Sequence, residues 1–388
     1  MSAFAIKGWC PSALRPMLSG DGLVVRVRPH GGRLCASQAS GIADLAERHG
    51  NGFIDVTARA NLQIRGVREQ GYERLITELA VLDLIDTDIE TEGQRNILVV
   101  PFWRDGDGTQ SLATELESAL SATPLGLPQK FGFAVDCGAK RVLAQSSADI
   151  RIERDAAVGL IVRADGALKG RAVASGEAVG AALALAQWFV ASGGAKGERG
   201  RMAAHIGSGA RPPHSLAGDA IPAPAMPLPS PALHRSGALV GLAFGQMPSV
   251  TLKFLATLAP GLRMTPWRLI LIEGLGEMPR HDGLVTRADD PLLRVVACTG
   301  APACAEARVE TRRLAAALAP DLPAGASLHV SGCAKGCAQR GRSAITLIGT
   351  ADGLDLVRDG TTRDSPTLRG LSPAGILGRP SILAGAPR

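Results

Sequence analysis

Four of the seven cysteines fall in two close pairs late in the 388-residue chain: Cys298 and Cys304 with five residues between them, Cys333 and Cys337 with three. Thiolates are soft ligands that hold iron–sulfur clusters or zinc. Their neighbours are small: Thr299-Gly300-Ala301-Pro302-Ala303 lies inside the first pair, Ala334-Lys335-Gly336 inside the second, and Gly332 precedes Cys333. Such residues let a backbone wrap closely around a cluster and turn its amides toward sulfur. The pattern predicts an iron–sulfur cluster on Cys298, Cys304, Cys333 and Cys337. Zinc is the first alternative, although structural zinc pairs usually keep roughly two to four residues between ligands. Four buried, unliganded thiols are the second. Cys10, Cys35 and Cys137 stand alone and read as ordinary core or surface thiols.

A second group of residues suits an anion. Arg26 and Arg28 alternate on the apolar stretch Leu23–Arg28, which Pro29 and Gly31-Gly32 end. Arg59 and Arg65 share the segment Thr57–Gly66, where Thr57, Asn61 and Gln63 add neutral hydrogen-bonding groups. Arg95-Asn96 opens another apolar run, and Lys130 follows Leu127-Pro128-Gln129. The planar arginine fork grips a carboxylate through two hydrogen bonds, so several of these around one pocket would hold a ligand with many carboxylates. Each also suits a solvated surface charge, and the neutral groups suit turns and caps. The seven histidines (His30, His49, His205, His214, His234, His281 and His329) contain no His-x-Asp or His-x-Glu spacing, so the sequence assigns no facial triad for a mononuclear iron. Gly274-Leu275-Gly276 lacks the third glycine and the setting of a nicotinamide fingerprint.

The length allows two or three domains at roughly 100–200 residues each. With 46% hydrophobic and 20% charged residues the chain is globular rather than disordered. Aromatic residues, at 3%, are too sparse for a single-strand nucleic-acid platform, and no Lys/Arg run marks a nucleic-acid face. The net charge of +6 fits a polyanionic small molecule among other partners. The longest apolar stretch, around Ala178–Ala191, falls short of the roughly 20 residues of a membrane-spanning helix. Residues 1–25 show no leader pattern. The expected setting is therefore cytoplasmic, without a membrane or nucleic-acid partner.

These residues need positioning elements. Strands are expected at Leu23–Arg28, Phe53–Val56, Leu62–Arg65, Asn96–Val100, Phe131–Val135 and Gly159–Val162, with helices at Ala36–Arg48, Tyr72–Leu82 and Val173–Ala191. Seven of the 25 prolines lie between Pro212 and Pro231 and mark a semi-extended linker. The pattern then restarts: strands at Ala238–Phe244 and Leu269–Glu273 flank a helix at Ser249–Leu258, Leu262–Arg268 echoes Ile54–Arg59, and Arg294–Cys298 echoes Arg95–Val99. An internal duplication is expected. The division is 1–88 (ferredoxin-like half-domain), 89–205 (first α/β block), 206–236 (linker), 237–287 (second ferredoxin-like half-domain) and 288–388 (cluster block).

C-x5-C followed by C-x3-C resembles the [4Fe–4S] signature of sulfite and nitrite reductases, which carry a reduced tetrapyrrole. Thr57-Ala58-Arg59-Ala60-Asn61-Leu62-Gln63 resembles that family's T-x-R-x-x-x-Q segment. Arg26-Val27-Arg28, Arg95-Asn96 and Leu127–Phe131 resemble its remaining anion-site segments, in the family's order. The resemblance implies an α+β fold of two pseudo-symmetric halves, each a ferredoxin-like half-domain plus a larger mixed α/β block. It implies a tetrapyrrole held by Arg26, Thr57, Arg59, Asn61, Gln63, Arg65, Arg95, Asn96 and Lys130, with a [4Fe–4S] cluster on the four cysteines. Gly132 stands where the reductases carry a second lysine. Together with Met17–Leu23, Gln63–Gly66 and Gly332–Arg340, this is similar to the branch of the family that serves oxygen-dependent cobalamin synthesis. That branch implies a monooxygenase hydroxylating C20 of precorrin-3A and closing a γ-lactone. It also implies O2, NADH-derived electrons through a separate reductase, and a mononuclear non-haem iron of unassigned ligands. Cys337 would then hold only the cluster. A sirohaem-dependent sulfite or nitrite reductase is the alternative.

Overall fold

The computed structural model describes residues 11–138 and 140–384; Gly8-Trp9-Cys10 lies outside them. The first half opens with β1 (Met17–Ser19), β2 (Gly22–Val27), β3 (Arg33–Cys35), β4 (Phe53–Val56) and β5 (Leu62–Val67), with helices at Ala36–His49 and Glu69–Val81. A larger unit follows: β6 (Ile97–Val99), β7 (Phe133–Asp136), β8 (Ile150–Arg154), β9 (Leu160–Ala164) and β10 (Arg171–Val173), with helices at Thr109–Ala122 and Ala178–Ala191. The second half repeats this layout. It has β11 (Ala232–His234), β12 (Gly237–Gly241), β13 (Gln246–Pro248), the helix Ser249–Leu258, β14 (Gly261–Met264) and β15 (Leu269–Glu273). Then come β16 (Val295–Ala297), the helix Thr311–Leu318, β17 (Leu328–Ser331), β18 (Ser343–Thr350), β19 (Gly353–Gly360) and β20 (Leu368–Leu371).

The repeat extends to strand direction. Both larger sheets run in chain order, β6-β7-β8-β9-β10 and β16-β17-β18-β19-β20. In each, the first three strands are parallel and the last two antiparallel. The two smaller sheets exchange an edge strand: β13 of the second half completes β1-β2-β5-β4-β13, and β3 of the first completes β11-β12-β15-β14-β3. The helices Ala36–His49 and Ser249–Leu258 pack on each other, and one core joins Ile42, Leu45, Ile54 and Ile64 with Leu252, Leu255, Leu262 and Ile270. The smaller sheets are thus mutually dependent, whereas each larger sheet has its own core.

Period-two burial explains the first small sheet. Val25, Val27, Ile54, Val56, Leu62 and Ile64 enter the core, so Arg26, Asp55 and Gln63 must face the other way. The Pro-rich segment, expected as a semi-extended linker, pairs along its length with the first large unit. Ala220 exchanges two backbone hydrogen bonds with Gly170, at 2.9 and 3.0 Å, while Ala223 and Met226 donate to the carbonyls of Arg154 and Arg141 at 2.9 Å. Residues between the prolines supply the N–H groups that proline lacks, and the segment lies along the first large unit. The helix expected from Val173 begins at Ala178, because Arg171–Val173 pairs with β9.

Candidate functional site

On the face of the first small sheet away from its helices, Arg26, Gln63, Asp55 and Gln246 stand in one row across β2, β5, β4 and β13. Arg26 donates twice to Gln63 Oε1, at 3.2 and 2.7 Å. Asp55 accepts from Gln246 at 3.0 Å and from Arg312 of the Thr311–Leu318 helix at 3.3 Å.

The turn between β4 and β5 is set by Thr57, whose hydroxyl accepts from the amides of Arg59 and Asn61, both at 3.2 Å. Ala60 adopts φ 55° to close it. Arg59 then reaches the first large sheet and donates to the Lys130 carbonyl at 2.7 Å. Asn96 donates to the Gln129 carbonyl at 3.1 Å. Arg59, Asn61, Asn96 and Ser147 line a niche of about 10 Å3 at the N-terminal ends of β6 and β7, room for one oxygen atom rather than a ring. Gly132 borders it: a Cβ there would lie 2.9 Å from the Asn96 carbonyl oxygen and 3.8 Å from Arg59 Nη1. A side chain at 132 is excluded sterically unless the Asn96 backbone moves. Thr57, Arg59, Asn61, Asn96 and the backbone of Lys130 therefore meet, with the Lys130 side chain exposed.

Three other expected cations are engaged by the protein itself. Arg95, 4% exposed, forms a two-pronged ion pair with Asp86 at 2.7 and 2.8 Å and donates to the Arg28 carbonyl at 3.0 Å. Arg28 is equally buried and donates to the Glu92 carbonyl; burial pushes its pKa down to about 10. Arg65 grips Asp21 at 3.1 and 2.7 Å and Ser19 at 3.2 Å, and the Ser19 hydroxyl donates to the Ala303 carbonyl at 3.2 Å. Arg65 thus braces the β1–β2 turn against the loop between Cys298 and Cys304. No local sequence pattern marks Asp21, Asp86 or Arg312 as partners; Asp21 and Arg312 pair with residues far along the chain, and Asp86 pairs with Arg95 across the turn-and-helix segment between them.

The four paired cysteines lie on two loops that leave the C-terminal ends of β16 and β17. Gly332 N–H points at Cys298 Sγ at 3.2 Å, and the Lys335 amide donates to the Cys333 thiol. A Cβ on Gly332 would meet Ala307 Cβ at 2.6 Å, so close packing there requires glycine. Burial pushes the Cys333 and Cys337 thiols up, and the charges of Cys298 and Cys304 push both further. Four thiolates gathered this way are unstable without a cationic core, which is what a metal cluster supplies. Among the described residues no three His, Cys, Asp or Glu side chains converge on a single metal ion. By donor chemistry, four thiolates on two glycine-containing loops, with an amide aimed at one sulfur, are the kind of set that takes a [4Fe–4S] cluster with one cysteine on each iron.

A mononuclear iron finds no such set among the described residues. His30 pairs with Glu117 at 2.8 Å, His49 with Glu78 at 3.0 Å and His205 with Ser192 at 2.8 Å. His281 stacks on Phe254 and His234 packs on Phe102. His214 sits 3.5 Å from Asp219, both exposed. His329 is fully buried on β17, and burial, then the charge of Arg268, push its pKa down to about 4, so it is neutral.

Residues 15–82 match the family model described as the nitrite/sulfite reductase ferredoxin-like half domain. The chain is 31% identical to the precorrin-3B synthase of Sinorhizobium sp. over 93% of its own length and 84% of that protein. The chain belongs to the precorrin-3B synthase family. A ferredoxin–nitrite reductase of Synechococcus elongatus is 28% identical over 34% of the chain and 27% of that protein. The Mycobacterium tuberculosis NirA protein has the same fold, with a TM-score of 0.60 over 86% of this chain and 74% of that one, at 18% identity. The family's two-halved α+β architecture is the one built here. No helix among the described residues is long and apolar enough to cross a membrane.

Proposed function

We propose that the chain is a precorrin-3B synthase acting as an oxygen-dependent monooxygenase: it hydroxylates C20 of precorrin-3A and closes a γ-lactone from a ring A acetate. The observation that carries this is the 31% identity to a precorrin-3B synthase across 93% of the chain. In balance, one atom of O2 enters the substrate and the other leaves as water, with two electrons and two protons consumed. The electrons come from NADH by way of a separate reductase.

The chain's own residues bind and orient. A carboxylate oxygen of the substrate rim enters the niche between Arg59, Asn61 and Asn96, where desolvation strengthens the charged hydrogen bond to the guanidinium. Lys130 adds a cation at its mouth. Arg26, fixed by Gln63, presents a second charge from the polar row, and Thr57 holds the turn that aims Arg59. Arg95, Arg28 and Arg65 act one step back, as buried braces. Cys298, Cys304, Cys333 and Cys337 hold a [4Fe–4S] cluster, which supplies electrons one at a time.

The test is anaerobic loading with precorrin-3A followed by isotopically labelled O2 and a reductase system. Gain of one labelled oxygen in a lactone product supports the proposal. A chain purified with tightly bound sirohaem that reduces sulfite or nitrite, and leaves precorrin-3A unchanged, contradicts it.

A further inference from the structure

The two halves share strand order and pairing register, and the second copy of the site has a different lining. The turn hydroxyl of Thr57 has its counterpart in Thr265, which accepts from Trp267 N and Leu269 N, both at 3.3 Å. Trp267 therefore occupies the place of Arg59, and Leu269 that of Asn61. The row Arg26–Gln63–Asp55–Gln246 is matched on the second sheet by Leu239–Leu271–Arg263–Arg33. Half of that row has become apolar: Leu239, Leu269 and Leu271 form one small cluster, against which Phe102 and Trp267 pack, while Arg263 and Arg33 are both paired with Glu273.

The cluster position also has a counterpart. Cys298 N donates to the Val330 carbonyl where β16 leaves its sheet; Val100 N donates to the Val135 carbonyl where β6 leaves its own. Val100 corresponds to Cys298, and by the same register Gly138 corresponds to Cys333. Both Val100 and Gly138 line a cavity of about 460 Å3, within the size range of small-molecule sites. With these residues the cavity cannot ligate a cluster. It remains open and has three features of its own. Its aromatic wall is Phe102 against His234, with ring centres 4.7 Å apart. His234 Nε2 is buried and meets no hydrogen-bond partner among the described residues. Its rim carries Arg104, Lys140 and Arg235, all exposed; no carboxylate pairs with them among the described residues, and the rim's one acid, Asp107, is spent on the amides of Arg104 and Thr109 at 2.8 Å. Met226, Pro227 and Pro229 of the Pro-rich segment close the apolar side.

We propose that this cavity binds a planar heteroaromatic ring bearing a phosphate, a mononucleotide of the size of FMN. The ring packs on Phe102 and the proline wall, and the phosphate lies among Arg104, Lys140 and Arg235. The site is separate from the tetrapyrrole residues, so it stands or falls apart from the proposed reaction. The experiment is titration of the intact, cluster-loaded protein with FMN, followed by quenching of flavin fluorescence. Binding of one FMN per chain is expected, weakened at least about tenfold in the triple variant Arg104→Ala/Lys140→Ala/Arg235→Ala and also weakened in Phe102→Leu. Inorganic phosphate is expected to compete weakly. No saturable FMN binding up to about 1 mM, or affinity unchanged in the triple variant, overturns the proposal. Phosphate binding as tight as FMN overturns the aromatic part. Exposed rim substitutions leave the fold intact, and the cluster's visible spectrum reports that independently.

Discussion

Removing Asp21 should loosen the contact between the first small sheet and the cluster loop, although no hydrogen bond or ion pair joins Asp21 to a cysteine among the described residues. Its carboxylate neutralises Arg65, whose side chain is 6% exposed; Asp21's is 12% exposed. Breaking a buried ion pair from one side costs about 3–5 kcal/mol, because the remaining charge is left without a partner. Here Asp55 remains 3.7 Å from Arg65, which offsets part of the loss, so Asp21→Ala should destabilise by about 2–3 kcal/mol. Arg65→Ala should cost a similar amount. The double variant should cost little more than either single change, giving a coupling of about 2 kcal/mol. Through Ser19 and Ala303 the same changes should speed loss of the cluster on exposure to air. The assay is urea unfolding of the four proteins, with the decay of cluster absorbance in parallel. Additive single effects with unchanged cluster decay would refute the brace and return Arg65 to the set of substrate-facing cations.

Cys298→Ala and Cys333→Ala should each lose iron and sulfide, whereas Cys137→Ser keeps both; elemental analysis checks this. Gly132→Ala should cost about 1–3 kcal/mol of stability and weaken substrate binding, since its Cβ would meet the Asn96 carbonyl at 2.9 Å; thermal melting and substrate titration are the readouts. Burial pushes the Asp136 carboxyl up to about 7, above its unfolded value of 3.8. The folded state therefore binds the extra proton across that window, and stability falls as pH rises from about 4 to 7. Asp136→Asn should flatten this slope and stabilise the protein at neutral pH by up to about 4 kcal/mol, as unfolding at several pH values would show. Cys35 opens a helix beside Ser37, with its pKa lowered against the effect of burial by the Ser37 hydroxyl and the neighbouring amides, while burial pushes Cys137 up to about 12. Iodoacetamide should modify Cys35 first, as mass mapping would show.

Much of the architecture was legible because it rests on local patterns. Ser249–Leu258 and Leu269–Glu273 follow the apolar periodicity with their expected limits, and the echo of Thr57 in Thr265 marked the duplication. The strand exchange was not legible. β3 and β13 are three residues each, β3 following Pro29 and Gly31-Gly32 and β13 ending in Pro248, and such short segments read as turns until a partner sheet from the other half supplies their hydrogen bonds. The pairing of the Pro-rich segment with Gly170 and Arg154 was not legible for a related reason, since it is set by distant chain. At the site, the cysteine spacing and the Thr57–Gln63 segment placed several residues together. Charge alone did not separate Arg59, which lines the niche, from Arg95, which Asp86 neutralises inside the fold. That distinction needs the third dimension, because Asp86, Asp21 and Glu92 carry no mark in sequence. Gly132 illustrates the opposite case: it reads as a missing cation, and the structure adds a steric reason for glycine.

The central claim is that the four cysteines hold a cluster while the tetrapyrrole passes through as substrate. An anaerobic visible spectrum of the purified protein, with iron, sulfide, zinc and extractable tetrapyrrole measured on the same sample, tests it most directly. Iron with matching sulfide, a broad weak brown absorbance and no extractable sirohaem are the expected result. Strong macrocycle bands with extractable sirohaem, or zinc without sulfide, would contradict it.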